Sequence, residues 1–176
     1  MSINWFPGHM VKARREIQDN LKLVDIVTIL LDARAPYSCR NPQLEKMISP
    51  KKTIIVLNKM DLAPIADTRR HLEQLRDEGH LVAAMDSNSG KGSREVLQLI
   101  STAFESVRED LHRRGRRIRP ARVMIVGVPN VGKSSFLNSL AGKKIAITGA
   151  SPGVTRGKQW VRVRDDIEFM DTPGLM

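Results

Sequence analysis

The 176-residue chain has little cysteine, few aromatic residues and no long apolar run. Its single cysteine, Cys39, excludes an internal disulfide and predicts a reducing compartment. No apolar run approaches the roughly 20 residues of a membrane-spanning helix, and residues 1–10 lack the charged-then-apolar layout of a signal peptide. We therefore expect a globular, cytoplasmic and monomeric protein without a membrane span.

Positive charge, by contrast, is abundant. The formal net charge is +10 and the pI is about 10.3, which predicts a polyanionic partner such as nucleic acid. Basic residues gather at Lys12, Arg14 and Arg15 and again in 112–119, HRRGRRIR. With only 4% aromatic residues, phosphate contact is favoured over stacking on bases. A solvated basic surface is the alternative interpretation.

Apolar runs of strand length alternate with amphipathic segments along most of the chain. After an irregular segment over 1–10, the patterns predict helices over 11–23, 42–48, 68–78, 93–111 and 135–140. They predict strands over 25–31, 53–57, 81–85, 122–126, 158–164 and 167–170, the last two forming a hairpin. This alternation indicates a mostly parallel sheet with helices on both faces, which binds its ligand at the carboxyl ends of the strands.

Residues 127–134, GVPNVGKS, match the phosphate-loop pattern GxxxxGKS between a predicted strand and a predicted helix. Such a loop binds phosphates through backbone N–H groups and the positive end of the following helix. The predicted nucleotide contacts are Asn130, Val131, Gly132, Lys133, Ser134 and Ser135. Lys133 would reach the β- and γ-phosphates as a catalytic residue, and the Ser134 hydroxyl would bind Mg²⁺. The alternative interpretation of these residues is a glycine-rich turn, but such a turn does not require the full GxxxxGKS pattern.

The second motif, Asn58-Lys59-Met60-Asp61, follows a buried strand. A carboxylate at its last position can accept hydrogen bonds from guanine N1–H and N2–H₂, donors that adenine lacks. Asp61 is therefore the predicted specificity residue. Asn58 would brace the phosphate loop and the base, and the stem of Lys59 would lie along the purine. Backbone N–H groups of Ser87, Asn88 and Ser89 would meet the guanine oxygen.

Asp171-Thr172-Pro173-Gly174 supplies the third motif, at the end of the last predicted strand. Asp171 would hold Mg²⁺ through water, and the Gly174 N–H would meet the γ-phosphate as part of the catalytic machinery. Thr155, in the glycine-rich loop over 143–157, is the predicted second hydroxyl ligand of Mg²⁺, and Thr148 is the competing candidate. Leu175 stands where Ras-like enzymes have the glutamine that orients water.

These motifs occur in an unusual order. In Ras-like GTPases the phosphate loop comes first and the base-reading motif late, whereas here NKMD precedes GVPNVGKS. The order predicts a P-loop NTPase with the Ras-like three-layer α/β/α sheet in circularly permuted form. Helix 93–111 and the basic linker after it would join the usual chain ends.

The chain resembles the circularly permuted GTPases of the YlqF/YawG family, in the ribosome biogenesis GTPase A branch or its mitochondrial counterpart. Seven further segments carry the resemblance beside the phosphate loop: WFPGHM at 5–10, KARRE at 12–16, DARAP at 32–36, RNP at 40–42, NKMD at 58–61, SPGVT at 151–155 and DTPG at 171–174. It implies a GTPase that acts on a large ribosomal subunit precursor, that is slow without the ribosome, and that is mitochondrial if it is the eukaryotic counterpart. The expected domains are a basic N-terminal segment over 1–23 and the permuted G domain over 24–176. The family's C-terminal helical RNA-binding domain is not expected within these residues.

Two catalytic details follow from the resemblance. His9, in the sequence Pro7-Gly8-His9-Met10, is expected to act near the γ-phosphate when the ribosome orders the N-terminal segment, unless it only structures a turn. Asn130 resembles the asparagine of potassium-stimulated GTPases, which implies K⁺ beside the phosphates. A nucleotide-gated RNA-binding scaffold with incidental hydrolysis is the alternative function.

Overall fold

In the part of the chain that the structure describes, six strands form one sheet in the order β3-β2-β1-β4-β6-β5. The structure is a computed structural model that describes residues 7–127, 131–142 and 159–171. The strands are β1 (Ile26–Asp32), β2 (Lys52–Asn58), β3 (Leu81–Met85), β4 (Ala121–Gly127), β5 (Gln159–Arg164) and β6 (Ile167–Asp171). β1, β2, β3, β4 and β6 pair in parallel, and β5 pairs antiparallel with β6 as the edge strand. The hairpin and the central position of β1 are thus as predicted.

Within the described residues, five helices cover the two faces of this sheet. They are α1 (Pro7–Leu21), α2 (Pro42–Ile48), α3 (Ile65–Asp77), α4 (Ser93–Arg113) and α5 (Lys133–Ala141). Residues of α4 and α5 share one buried cluster with the strands, and residues of α1, α2 and α3 share the other. The predicted three-layer α/β/α class is therefore confirmed.

The prediction of an irregular segment over 1–10 is wrong for its last four residues, because α1 begins at Pro7. Proline suits a first helical position, where its fixed φ is helical and its missing N–H would have no intrahelical partner. The backbone of His9 therefore lies in the first turn of α1 and not in a preceding turn. α3 also starts earlier than predicted, at Ile65 and not at Thr68, with Pro64 as its N-cap.

The connection from α4 to β4 is fixed by an ion pair. Arg119 donates from Nη1 and Nη2 to the two carboxylate oxygens of Asp25, at 2.7 and 3.0 Å. Asp25 also accepts the backbone N–H of Arg122 at 3.0 Å. Cutting the chain in this connection would place the phosphate-loop strand β4 first and the NKMD strand β2 late, which is the unpermuted order.

Candidate guanine-nucleotide site

Three loops meet at the carboxyl edge of the parallel strands. NKMD begins at the last residue of β2, the serine loop (residues 86–91) follows β3, and the phosphate loop begins at the last residue of β4. The strand register pairs Asn58 with Met85 on one side and with Asp32 on the other, and it pairs Leu30 of β1 with Gly127. Ligands of open α/β sheets bind at this edge.

Glycine shapes both ends of the phosphate loop. A Cβ on Gly127 would lie 2.8 Å from the Leu30 carbonyl oxygen and 3.0 Å from Val131 Cγ1, so no side chain fits there without movement. Gly132 has φ 93°, a left-handed conformation that glycine adopts without strain, and it caps α5. Phe136 anchors α5 in the core, with its ring edge-on to the ring of Phe169 at a centroid distance of 6.1 Å.

Lys133 is the first residue of α5 and is half-buried. Burial lowers the pKa of its ammonium group, since removal from water disfavours the charged form. A bound phosphate would compensate that lost hydration. Ser134 and Ser135 follow on the first turn of α5 and are exposed, so their hydroxyls are accessible to a ligand or a metal ion.

Asn58 connects all three loops from a buried position. The residue is 1% exposed, its Nδ2 donates to the Val131 carbonyl at 2.9 Å, and its Oδ1 accepts from the Ser87 hydroxyl at 2.6 Å. One amide thereby ties the end of β2 to the phosphate loop and to the serine loop. The sequence did not predict the hydrogen bond that Ser87 donates to Asn58.

Lys59 has a left-handed backbone with φ 61°, which is unusual for a residue other than glycine. This conformation turns the chain from β2 into the 3₁₀ turn Met60–Leu62. The Cε of Lys59 lies 3.9 Å from the point where a Cβ of Gly132 would stand, so its stem runs beside the phosphate loop. Asp61 lies in the 3₁₀ turn and is exposed at the edge of the site.

Asp86 organises the serine loop. Its Oδ1 accepts the N–H of Asn88 at 2.9 Å and that of Ser89 at 3.4 Å, and its Oδ2 accepts the Ser89 hydroxyl at 2.7 Å. The pKa of Asp86 is lowered, first by the Ser89 hydroxyl and then by these two N–H groups. A guanine oxygen would compete with this carboxylate for the two N–H groups, which the sequence prediction did not anticipate.

Several predicted site residues lie outside the described part of the structure. Asn130, Thr155 and Gly174 belong to this group, and for His9 and Asp171 only the backbone is described. Asp171 ends β6, which is hydrogen-bonded to β4. Its backbone is therefore on the strand next to the phosphate-loop strand, at the same edge.

Three comparisons bear on the family. Residues 122–176 match a family described as 50S ribosome-binding GTPase. Ribosome biogenesis GTPase A of Priestia megaterium is 46% identical over 177 residues, which span 100% of this chain and 62% of that protein. Mitochondrial ribosome-associated GTPase 1 of Mus musculus is 36% identical over 180 residues, or 98% of this chain and 55% of that protein. The crystal structure of GNP-bound YlqF from T. maritima superposes with a TM-score of 0.66 at 33% identity, covering 92% of this chain and 57% of that one.

Over nearly all of its length this chain is similar to ribosome biogenesis GTPase A and to YlqF. The first two relatives are similar along nearly all of this chain, and YlqF shares its fold at 33% identity. This chain spans 62% and 55% of the length of those two relatives. The resemblance inferred from the motifs is thereby confirmed for the permuted GTPase domain.

Proposed function

We propose that this permuted GTPase binds and hydrolyses GTP as an assembly factor of the large ribosomal subunit. The observation that carries the proposal is the Asn58 side chain, which joins the NKMD strand to both the phosphate loop and the serine loop. A site built this way couples recognition of the base to the position of the phosphates. The names of the relatives, a ribosome biogenesis GTPase and a mitochondrial ribosome-associated GTPase, support the ribosomal partner.

In this proposal Asp61 accepts the guanine N1–H and N2–H₂, and Lys59 lies against the purine. Lys133, whose ammonium is partly desolvated, binds the β- and γ-phosphates. Mg²⁺ prefers oxygen ligands, and the Ser134 hydroxyl, Thr155 and the Asp171 carboxylate are residues of that chemistry. The metal would neutralise phosphate charge during transfer.

Hydrolysis requires a group that orients the attacking water, and Leu175 cannot do so. We assign this role to His9, whose backbone lies in the first turn of α1, with the ribosome ordering the N-terminal segment for catalysis. The Gly174 N–H would meet the γ-phosphate. A K⁺ ion held near Asn130 would add positive charge beside the phosphates, and equal turnover in potassium and sodium buffers would contradict it.

α4 ends at Arg113, so the basic segment 112–119, predicted as a linker, begins within the helix. This segment suits a ribosomal partner. Residues 112–118 are all exposed and include Arg113, Arg114, Arg116 and Arg117. Contacts to phosphate from such residues would make association steeply dependent on salt. None of the described helices is long and apolar enough to cross a membrane. We infer that the protein acts where ribosomes assemble, in the cytoplasm or, for a eukaryotic counterpart, in mitochondria.

The test is steady-state GTP turnover, with ATP as the competing substrate and with or without isolated large subunits. We expect slow turnover of GTP alone, strong stimulation by large subunits, and loss of that stimulation in His9→Ala. Turnover of ATP at the same rate would contradict the guanine assignment. A rate that large subunits leave unchanged would favour the second candidate, a nucleotide-gated RNA-binding scaffold. The exposed arginines at the end of α4 and directly after it support that candidate.

A further inference from the structure

The amino edge of the sheet, opposite the candidate nucleotide site, concentrates positive charge from separate parts of the chain. Ile26 at the start of β1 pairs in register with Lys52 of β2 and with Val123 of β4. The connections that lead into these three strands therefore meet at this edge. α4 also ends there, because it runs from the end of β3 back to the connection before β4. We call the amino-edge cations the following residues of these segments: Lys22, Lys51, Lys52, Arg113, Arg116 and Arg117.

The amino-edge cations are available to a ligand. All are exposed except Lys51, which is partly exposed. None of the ion pairs between described residues includes any of them. The carboxylates closest to them in these segments already hold other arginines, since Asp25 pairs with Arg119 at 2.7 Å and Asp110 pairs with Arg114 at 3.3 Å. The Asp25 side chain is also only 10% exposed, so its charge is largely withdrawn from solvent.

Acidic residues bound this basic surface on both sides. Asp77 and Glu78 end α3 in front of β3, and Asp165 and Asp166 occupy the turn between β5 and β6. The amino-edge cations are therefore confined to the middle of the edge, in front of β2, β1 and β4. Neighbouring strands lie about 4.8 Å apart, so cations before β2 and before β4 stand roughly 10 Å apart across β1. A polyanion with regularly spaced charges can meet both sides at once.

We propose that the amino-edge cations form one surface that binds the phosphate backbone of double-stranded RNA, while the opposite edge of the sheet holds the nucleotide. This inference rests on the proposed ribosomal function and extends it from the arginines after α4 to the lysines before β1 and β2. Among the described residues, the exposed ones at this edge include no aromatic side chain, so stacking on unpaired bases has no platform there. Duplex RNA is instead recognised largely through its backbone and shape.

The competing explanation is that these cations stabilise the fold. Arg113 lies in the last turn of α4, where positive charge is favourable because of the helix dipole. Lys51, Lys52, Arg116 and Arg117 lie outside the helices, so this explanation does not extend to them. These four residues therefore separate the two explanations: contact with RNA predicts lost affinity, whereas a role in stability alone predicts unchanged affinity.

The test is the equilibrium dissociation constant for a blunt RNA duplex of about 16 base pairs, measured by fluorescence anisotropy over a series of KCl concentrations. Two double variants, Lys51→Gln with Lys52→Gln and Arg116→Gln with Arg117→Gln, remove two cations from either side of β1. Each should lower the slope of log affinity against log salt by about two, since each phosphate contact contributes about one. Each should also weaken binding more than about tenfold at about 50 mM salt.

A matched control removes the same charge elsewhere. Arg69 and Arg94 are exposed, belong to none of the described ion pairs, and lie near the starts of α3 and α4, towards the nucleotide edge. The double variant Arg69→Gln with Arg94→Gln should keep the wild-type slope and an affinity within about twofold, because distant exposed charges are screened by salt. Circular dichroism and urea unfolding establish that each variant is folded. Lys22→Gln with Lys52→Gln replaces the first double variant if that protein does not fold.

Four results would overturn the proposal. They are a wild-type chain that does not bind the duplex, a control that loses as much affinity as the test variants, an effect confined to Arg116 and Arg117, and tighter binding to vesicles of phosphatidylserine and phosphatidylcholine than to RNA. The last result would assign the surface to an anionic membrane.

Unstimulated GTP turnover is measured on the same proteins and should be unchanged in both test variants. A wild-type chain without GTP turnover would overturn the proposed GTPase function, whereas the duplex measurement needs no nucleotide. The two failures are therefore distinguishable.

Discussion

Asn58→Ala is the change that probes the junction of the three loops. The substitution removes two hydrogen bonds, to the Val131 carbonyl at 2.9 Å and from the Ser87 hydroxyl at 2.6 Å, at a residue only 1% exposed. Each bond contributes about 0.5–1.5 kcal/mol net, and a buried group left without a partner costs about 1–3 kcal/mol. We expect a loss of about 2–4 kcal/mol in the free energy of unfolding, a large share of the roughly 5–15 kcal/mol typical of a domain.

Urea unfolding followed by circular dichroism measures this loss, and calorimetry measures GDP affinity on the same samples. Affinity should fall as well, because the Val131 carbonyl belongs to the phosphate loop. Asn41→Ala is a matched control: Asn41 accepts the N–H groups of Gln43 and Leu44 at 3.1 and 3.2 Å as the N-cap of α2. It should cost about 0.5–2 kcal/mol of stability and leave GDP binding unchanged. An Asn58→Ala protein within about 0.5 kcal/mol of the wild type, or with wild-type affinity, would refute the reasoning.

Three further predictions follow from the geometry. Gly127→Ala should destabilise the fold by about 1–3 kcal/mol through overpacking, because the new Cβ would lie 2.8 Å from a backbone oxygen. Urea unfolding measures this loss, and an unchanged unfolding midpoint would contradict the prediction. Because the pKa of Lys133 is lowered, its ammonium is fully charged below that pKa and loses its charge as pH rises through it. Wild type should therefore lose its advantage in GDP affinity over Lys133→Ala as pH rises. An affinity ratio that stays constant up to the pH at which free lysine titrates would contradict this prediction. Arg119→Ala should cost about 1–3 kcal/mol of unfolding free energy, because it leaves Asp25, whose side chain is 10% exposed, without its cation. GDP affinity should not change. A loss of affinity would show that the connection from α4 to β4 also shapes the site.

Much of the fold could be predicted because its signals are local. Runs such as TIIVL and RVMIV are apolar enough to require cover on both faces, and β2 and β4 are indeed central strands. The motifs could be placed at strand ends because each follows such a run. Residues 1–10 were predicted to be irregular although Pro7 suits a first helical position, and the start of α3 at Ile65, directly after its N-cap Pro64, lies three residues before the predicted one.

The parts of the site that could not be predicted depend on side chains meeting across the fold. The bond from Ser87 to Asn58 joins residues 29 positions apart, and no spacing in the sequence encodes it. The left-handed conformation of Lys59 has no local signature, since a lysine does not favour it.

The most direct test of the central claim exchanges the base specificity of the site. Asp61 is assigned to the guanine N1–H and N2–H₂, so Asp61→Asn should lose GDP affinity and gain affinity for xanthosine diphosphate, whose oxygen at position 2 can accept from the new amide. Calorimetry with both nucleotides on both proteins measures the exchange. We predict that wild type prefers GDP and the variant prefers the xanthine nucleotide. A variant that binds GDP as tightly as the wild type would contradict the assignment of this edge as a guanine-nucleotide site.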